Sequence, residues 1–485
     1  MKRHGTIGVN ERGHLEIGGC DAVELVREFG SPLYVIDEDL VRQNCRAYHQ
    51  AFIEGIPGGE VAYASKAFCN LAMARLVIQE DLGIDVVSAG ELYTALSAGA
   101  DPGRIDFNGN NKTPDELRYA LESRVGRFIA DNFTEIQALD EMAGSLGLRP
   151  KVLLRVQPGI EAHTHEYIQT GKIDSKFGLS IATGQAMEAL TLMSKKENLD
   201  LVGIHCHIGS QIFEVDAFAQ AARIMASFMS YARDSLGFPL PELNLGGGFG
   251  IYYNQNDSPA PVRDFAQAMY AALRDEMGKL SFPLPRRISI EPGRSIIGNA
   301  GTTLYTVGSI KTIPRVRTYI AVDGGMTDNP RPALYQAKYE MALANKMLAA
   351  NQIVASVAGP CCETGDMLIW DAAMPWVETG DILAVFSTGA YNYSMASNYN
   401  RLLKPAAVLV AEGKARLILR RENFADLVRN DLMPEHLLWN QGKQWQKLTL
   451  PEGEAELTLP EGKAGSALPE GEAELALPEG EARVE

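Results

Sequence analysis

Residues 61–98 read VAYASKAFCNLAMARLVIQEDLGIDVVSAGELYTALSA. Two short apolar runs, Val61–Ser65 and Ile84–Ser88, each lead into polar residues, and the second is followed by Glu91–Ala98, whose apolar residues recur at helical spacing. The alternation continues down the chain. Further runs lie at Arg104–Asn108, Arg127–Ala130, Lys151–Val156, Leu201–His207, Glu242–Leu245 and Arg287–Glu291. Helical patterns separate them at Pro114–Glu122, Thr134–Leu146, Ile181–Lys195, Asp216–Leu236 and Val262–Met277. Strand alternating with helix implies a parallel sheet. Eight such units over roughly 260 residues fit an α/β fold of the (β/α)8 TIM-barrel type, whose usual size is about 250 residues. The alternative is a doubly wound open sheet; eight strands in one series favour closure.

The texture changes after residue 295. Short β-rich runs follow at Thr302–Lys311, Arg317–Val322, Gln352–Ala358, Asp381–Phe386, Ala406–Ala411 and Lys414–Leu419, separated by Gly and Pro turns. They read as a mostly antiparallel β domain, a barrel or sandwich. Residues 1–35 share that character at His14–Ile17 and Leu33–Val35 and are expected to join it. The plan is therefore 1–35 with the β domain, 36–295 as the barrel, 296–445 as the β domain and 446–485 as a tail. In the tail, Leu-Pro-Glu-Gly recurs from Leu450, Leu459, Leu468 and Leu477 with a nine-residue period. A Pro and a Gly in each unit oppose helix and central strand alike, so a disordered tail is expected.

The formal net charge of −16 is uneven, because residues 448–485 hold ten Glu against Lys463 and Arg483. The body is only mildly acidic, which argues against a nucleic-acid partner. No run approaches the 18 or so apolar residues of a membrane span, and the early Lys2 and Arg3 have no apolar stretch behind them as a secretory signal would. The six cysteines, Cys20, Cys45, Cys69, Cys206, Cys361 and Cys362, form neither a CxxC pair nor a disulfide framework. A cytoplasmic protein is the expectation.

Chemistry in such a barrel gathers where strands end, and the polar clusters fall there. Lys66 follows the first strand. A lysine entering a closed core is paired, neutral or covalently used; taken alone it reads as a snorkelling surface lysine, but among these strand ends a Schiff-base lysine fits better. Gly246-Gly247-Gly248-Phe249-Gly250 offers backbone N–H groups to a phosphate, or is merely a tight turn. Glu291 closes the eighth strand, where a carboxylate can keep a pyridine nitrogen protonated, or pair with Arg294. His205 and His207 point to one side of a strand, and His163 and His165 repeat the spacing, so a metal-dependent barrel hydrolase is a rival. His207 can equally offer a flat face to an aromatic cofactor. Cys362, beside Glu363, suits a proton donor, whereas Cys361 suits small apolar filler. Arg331 and Tyr335 place a guanidinium and a phenol four residues apart, suited to a carboxylate, or form a structural loop.

Taken together, YASKA (63–67), DVVSAGEL (85–92), NGNNKT (108–113), HEYIQTGKIDSKFG (165–178), HCHIGSQ (205–211), NLGGGFGI (244–251), EPGR (291–294), DGGMTDNPRPALYQAKYE (323–340), GPCCETGD (359–366) and GAYNYSM (389–395) resemble the fold-type III pyridoxal-5′-phosphate decarboxylases. This group includes ornithine decarboxylase and shares its barrel with alanine racemase. The resemblance covers about residues 10–440 and is strongest to the branch acting on meso-2,6-diaminopimelate. It implies decarboxylation of that amino acid to L-lysine, with pyridoxal 5′-phosphate joined to Lys66. By the same resemblance His207 stacks on the cofactor ring and Glu291 pairs with its nitrogen. Ser210, Gly247, Gly248, Gly293 and Tyr391 surround the phosphate, while Asp85 and Arg155 support Lys66. Arg294, Arg331 and Tyr335, with Tyr391 nearby, hold the distal carboxylate, and Glu363 takes the distal ammonium. Cys362, the expected proton donor, and Glu363 are implied to reach a neighbouring subunit's site, which makes the active form a homodimer. Gln157 stands where many relatives carry Asn, and the nonapeptide tail matches no family pattern. A sibling decarboxylase or racemase and a catalytically silent cofactor carrier are the other readings. Glu291 disfavours the racemase, and Arg331 with Tyr335 argues for a second substrate carboxylate.

Overall fold

The structure, a computed structural model, describes residues 2–160 and 175–437. The chain divides into two compact units, Met1–Asn423 and Phe424–Glu485. Within the first, eight parallel strands close on themselves: Gly59–Ala64, Gly83–Val86, Ile105–Phe107, Arg127–Ala130, Lys151–Gln157, Asp200–His205, Glu242–Asn244 and Arg287–Ile290. Closure is made by the last strand against the first, with Ile288 opposite Gly59 and Ile290 opposite Val61. A short extra strand, Leu179–Ser180, runs parallel to the end of the fifth.

Each of the early strands hands over to its helix through a side-chain cap. Asn70, Ser88 and Asn132 accept from the N–H groups of Met73, Glu91 and Glu135, and Thr113 forms a reciprocal capping box with Glu116, followed by Pro114. Helices therefore start within a few residues of the strand ends and leave short loops there.

The barrel interior follows the two-residue period of its strands. At its lower end Arg127 reaches across the lumen to Glu242 with bonds of 2.6 and 3.0 Å, and Arg287 bonds Asp106 at 3.1 Å. Neither pair lies on neighbouring strands, so both span the lumen. Two residues further up lie Ile129, which packs with Leu153 and Val202, and Asn244, Ser289 and Asn108, all buried. Outside the sheet, Phe249 stacks on Phe218 with centroids 4.8 Å apart, and Phe265, Tyr48 and Phe52 pack edge-on around it.

The β-rich part is built on the long strand Gly301–Ile313, which pairs antiparallel with Arg317–Val322, Ile382–Phe386 and Leu33–Asp37. Two pairings are parallel, Arg317–Val322 with Ile353–Ala358 and Leu33–Asp37 with Ala406–Ala411. Leu33–Asp37 thus inserts into this sheet, whereas Gly8–Val9, Leu15–Ile17 and Cys20–Asp21 form a small sheet of their own. Met367–Met374 and Met341–Leu343 are strands that the sequence pattern does not reveal. Their alternation is broken, because Met367–Met374 buries three consecutive residues and then exposes Trp370. The backbone of residues 387–391 returns to the barrel: Gly389 N–H bonds Gly298, and Tyr391 N–H bonds Ala67 beside Lys66. The second unit contributes the short helix Phe424–Val428. The LPEG repeats lie outside the described residues.

The lumen-spanning charges give a direct check. Glu242→Gln leaves the partly buried Arg127 with its bidentate partner neutralised, so a loss of about 1.5–3 kcal/mol, the scale of a hydrogen bond to a charged group, is expected in denaturant unfolding. A loss below about 0.5 kcal/mol, the usual range of surface substitutions, would show that the pair contributes nothing.

Candidate active site

The upper rim of the barrel gathers most of the residues singled out from the sequence. Glu291, just beyond the eighth strand, is 5% exposed and receives three donors. Asn108 and Asn244 donate to its Oε1 at 2.9 and 2.8 Å, and His205 Nε2 lies 3.1 Å from its Oε2. These come from the third, seventh and sixth strands, so the carboxylate ties together strands that are not all neighbours. Its partner is His205 rather than Arg294. Burial alone would raise the Glu291 carboxyl, but His205, by charge and hydrogen bond, with His207 and Lys66 nearby, holds it below the usual carboxylate range. Asp85 ends up on the other side of the divide. Burial raises it well above its ordinary value and the Glu291 charge raises it further, against Lys66 and the Asn108 amide.

Lys66 sits on a single turn, Ser65–Ala67, directly after the first strand. Its charge acts on Asp85, Glu91, His207 and Glu291. Glu91 is fixed by Ser65 Oγ and Val87 N–H, both at 2.8 Å. His207 stands one step above the strand, with Nδ1 accepting from Gly209 N–H at 3.2 Å. Burial, then the Lys66 and Arg155 charges, push its imidazole well below the usual value, so the ring is neutral at pH 7. Arg155 lies beneath Phe177 at 4.4 Å and 3.8 Å from Asp131. Gln157 donates to the carbonyl oxygens of Ser175 and Phe177, so its extra methylene reaches a definite partner.

Next to this group is a cationic, glycine-lined hollow. Arg294 donates to Ser210 Oγ at 3.0 Å and to Tyr253 Oη at 2.6 Å, and it faces the Tyr391 ring at 4.7 Å. A Cβ on Gly247 would fall 2.1 Å from Glu291 O, one on Gly248 2.3 Å from Gly209 O, and one on Gly293 3.0 Å from Ala64 Cβ. Gly248 also has φ +110°, a conformation that favours glycine. Among the described residues the N–H groups of Gly247, Gly248 and Gly293 donate to no protein acceptor. Backbone donors, a hydroxyl and a guanidinium suit a phosphate. A dry carboxylate at the barrel mouth suits a protonated ring nitrogen, and a lysine suits an aldehyde. The residues therefore fit pyridoxal 5′-phosphate.

Arg331 is buried on the short helix Arg331–Tyr335, where it donates to Tyr339 Oη at 2.6 Å and lies 4.8 Å from the Tyr253 ring. Burial works against its charge, but the Tyr253 and Tyr339 oxygens more than compensate and hold it firmly cationic. Tyr335 ends the same helix, half-buried. Cys362 and Glu363 are exposed. They bond Asn400 and Gly365 respectively rather than any member of the Lys66 group. Among the described residues no group of three or more His, Cys, Asp or Glu is placed to hold a metal, and His205 is already committed to Glu291. His163, His165 and most of the HEYIQTGKIDSKFG motif lie outside the described residues.

Asn108, Asn244, Tyr253 and Tyr339 carry structural weight that sequence reasoning missed. The two asparagines had a signal, since each is a polar residue at a strand end on the inward register. The tyrosines had none, because only the folded chain brings them to the arginines.

Comparison with known proteins agrees with this geometry. The family model of the pyridoxal-dependent decarboxylase, pyridoxal binding domain, matches residues 38–298. Diaminopimelate decarboxylase of Bacillus subtilis is 52% identical, covering 89% of this chain and 98% of that one, and the Staphylococcus aureus enzyme of the same name is 46% identical, covering 88% and 99%. The solved structure of diaminopimelate decarboxylase from M. jannaschii in complex with L-lysine aligns with a TM-score of 0.83 at 37% identity, covering 89% of this chain and 99% of that one. The Helicobacter pylori enzyme with L-lysine aligns at 0.77 and 34%, covering 84% and 98%.

Gly248→Ala tests the hollow. A methyl there meets the Gly209 carbonyl and should weaken pyridoxal phosphate binding at least tenfold, or about 1.4 kcal/mol, in a titration followed by cofactor absorbance. Unchanged affinity in a folded variant would place the phosphate elsewhere.

Proposed function

The chain belongs to the diaminopimelate decarboxylase family of pyridoxal-dependent decarboxylases, and from that premise we propose that it releases carbon dioxide from meso-2,6-diaminopimelate to give L-lysine, the last step of lysine biosynthesis. It is a carboxy-lyase that uses pyridoxal 5′-phosphate. The observation that carries the reading is Glu291, kept ionised by His205, Asn108 and Asn244 at the barrel mouth beside Lys66.

Bound in this site, the cofactor supplies a cationic ring that takes up the electron pair left at the α-carbon when the carboxylate departs. The protein's part is to hold and to move protons. Glu291 keeps a proton on the ring nitrogen by facing it with a fixed negative charge, an arrangement that costs no reorganisation when charge develops. His207, neutral, would offer a flat uncharged face to the ring. Ser210, Gly247, Gly248, Gly293, Arg294 and Tyr391 hold the phosphate. Lys66 would supply the amine that anchors the cofactor, supported by Asp85 and Arg155.

Arg294, Arg331, Tyr335 and Tyr391 hold the substrate's distal carboxylate, a group that lysine and ornithine lack at the far end. The buried, phenol-bonded guanidinium of Arg331 supports this, since such a charge is already desolvated before substrate arrives. Glu363 takes the distal ammonium and Cys362 Sγ delivers a proton to the α-carbon, both in the site of a second copy of the chain. Their exposure, and their place outside the Lys66 group, support that homodimer. No helix among the described residues is long and apolar enough to cross a membrane. The six cysteines are all free, which supports a reducing cytoplasm. In this reading residues 36–295 form the cofactor-binding barrel.

Glu291→Gln should lower kcat on the order of 100-fold or more, the scale of a lost electrostatic stabiliser, while cofactor affinity falls far less. Equal rates would remove Glu291 from the mechanism. Carbon dioxide release measured from meso-diaminopimelate beside L-lysine, L-ornithine and L-arginine tests the substrate: release from the first alone is expected, and preference for another overturns the assignment.

A further inference from the structure

The Glu291 site contains a second buried acid whose state the reaction scheme leaves open. Asp85, at the second strand, is 2% exposed. Asn108 Nδ2 lies 2.6 Å from its Oδ1 and 2.9 Å from Glu291 Oε1, so the two hydrogens of one amide are shared between two carboxyl groups. The opposite end of that amide, Oδ1, is buried without a partner. Ionising one of two buried acids bridged by a single donor disfavours ionising the other. The donor count says which one keeps the charge: Glu291 also receives Asn244 and His205, whereas Asp85 receives the Asn108 amide.

We infer that Asp85 is a neutral carboxylic acid and that Asn108, whose amide lies between the two groups, is a positioning residue that keeps the Asp85 hydroxyl apart from the Glu291 anion. The groups facing Asp85 are Glu291 from the eighth strand, Lys66 from the first, Glu91 from the helix after the second and Arg155 from the fifth. Burial and the Glu291 charge favour the neutral acid more than Lys66 and Asn108 oppose it. Two consequences follow. A single anion faces the ring nitrogen, and its Oε1 is engaged by amides rather than by the Asp85 hydroxyl. Lys66 also avoids a second anion, which would favour the ammonium form; an amine attacks only when neutral. Without the Asn108 amide between them, Asp85 O–H would turn onto Glu291 and share its proton with that anion, weakening the single negative charge. The inference deepens the proposed function and rests on it for its purpose, but the proton's position is a property of the protein alone.

The test is infrared spectroscopy of the full chain, with and without cofactor, grown with aspartate labelled at its side-chain carboxyl carbon. Wild type at pH 6 should show a protonated aspartate C=O band that Asp85→Asn loses. A second buried acid, Asp328, whose carboxyl burial pushes up to about 7, is separated by Asp328→Asn, which leaves the Asp85 band in place. Asn108→Leu should retain the band but shift it to lower frequency, as the hydroxyl bonds the Glu291 anion directly.

Thermal unfolding without cofactor supplies an independent reading. An acid whose pKa is raised in the fold stabilises it below the unfolded-chain value of about 4 and loses that contribution as pH rises through the folded value. Asp85→Asn should therefore gain in melting temperature over wild type as pH increases. A protonated-aspartate signal that is the same in Asp328→Asn and in the Asp85→Asn, Asp328→Asn double variant, or melting curves that stay parallel with pH, would overturn the inference. Because these readings need no turnover, failure to decarboxylate meso-diaminopimelate would sink the substrate assignment and leave this result standing.

Discussion

The Glu291 carboxylate is the point on which the site depends. It stands at the strand that closes the barrel, and its three donors arrive from the third, sixth and seventh strands. An unpaired buried carboxylate would be strongly destabilising, so the charge is tolerable only when the barrel has closed and brought those donors together. Closure and charge placement are thus one event, and the site is preformed before any ligand arrives. The loop Gly389–Tyr391 adds a second constraint, because it fixes Tyr391 to the backbone beside Lys66 and so joins the β-rich part to the barrel rim.

The same logic orders the lumen from bottom to top. Charges that cancel across the barrel plug the lower end, apolar and small polar residues fill the middle, and charges that do not cancel among themselves face the mouth. Arg127, Glu242, Arg287 and Asp106 have partners in the chain, whereas Lys66, Arg294 and Arg331 are arranged around space. Arg294 and Arg331 lean on the phenols of Tyr253 and Tyr339. A phenol satisfies a guanidinium proton without neutralising its charge, so each arginine remains available to an incoming carboxylate or phosphate.

Much of this was legible in the sequence. Pro114–Glu122, Arg127–Ala130, Arg317–Val322, Ala406–Ala411 and Lys414–Leu419 have the bounds their residue patterns imply, because local periodicity and capping residues determine them. The clusters at strand ends also pointed to the rim before any fold was known. What stayed hidden depends on contacts distant in the chain. Asn108 and Glu291 lie 183 positions apart, and nothing local to either says they touch. Met367–Met374 has no period of two to read, because it buries three consecutive residues, exposes the middle from Trp370 and buries Met374 again. The rivalry over the histidines likewise needed the fold: His205 and His207 share a side, yet one is bound to Glu291 and the other faces the Lys66 group.

The covalent anchor is the most direct thing to measure. The purified enzyme, treated with borohydride and digested, should yield the peptide containing Lys66 with the added mass of one pyridoxyl phosphate group and no other lysine so marked. A Lys66 peptide of unmodified mass, with the label on another lysine or absent, would contradict the placement of the cofactor and the chemistry built around it.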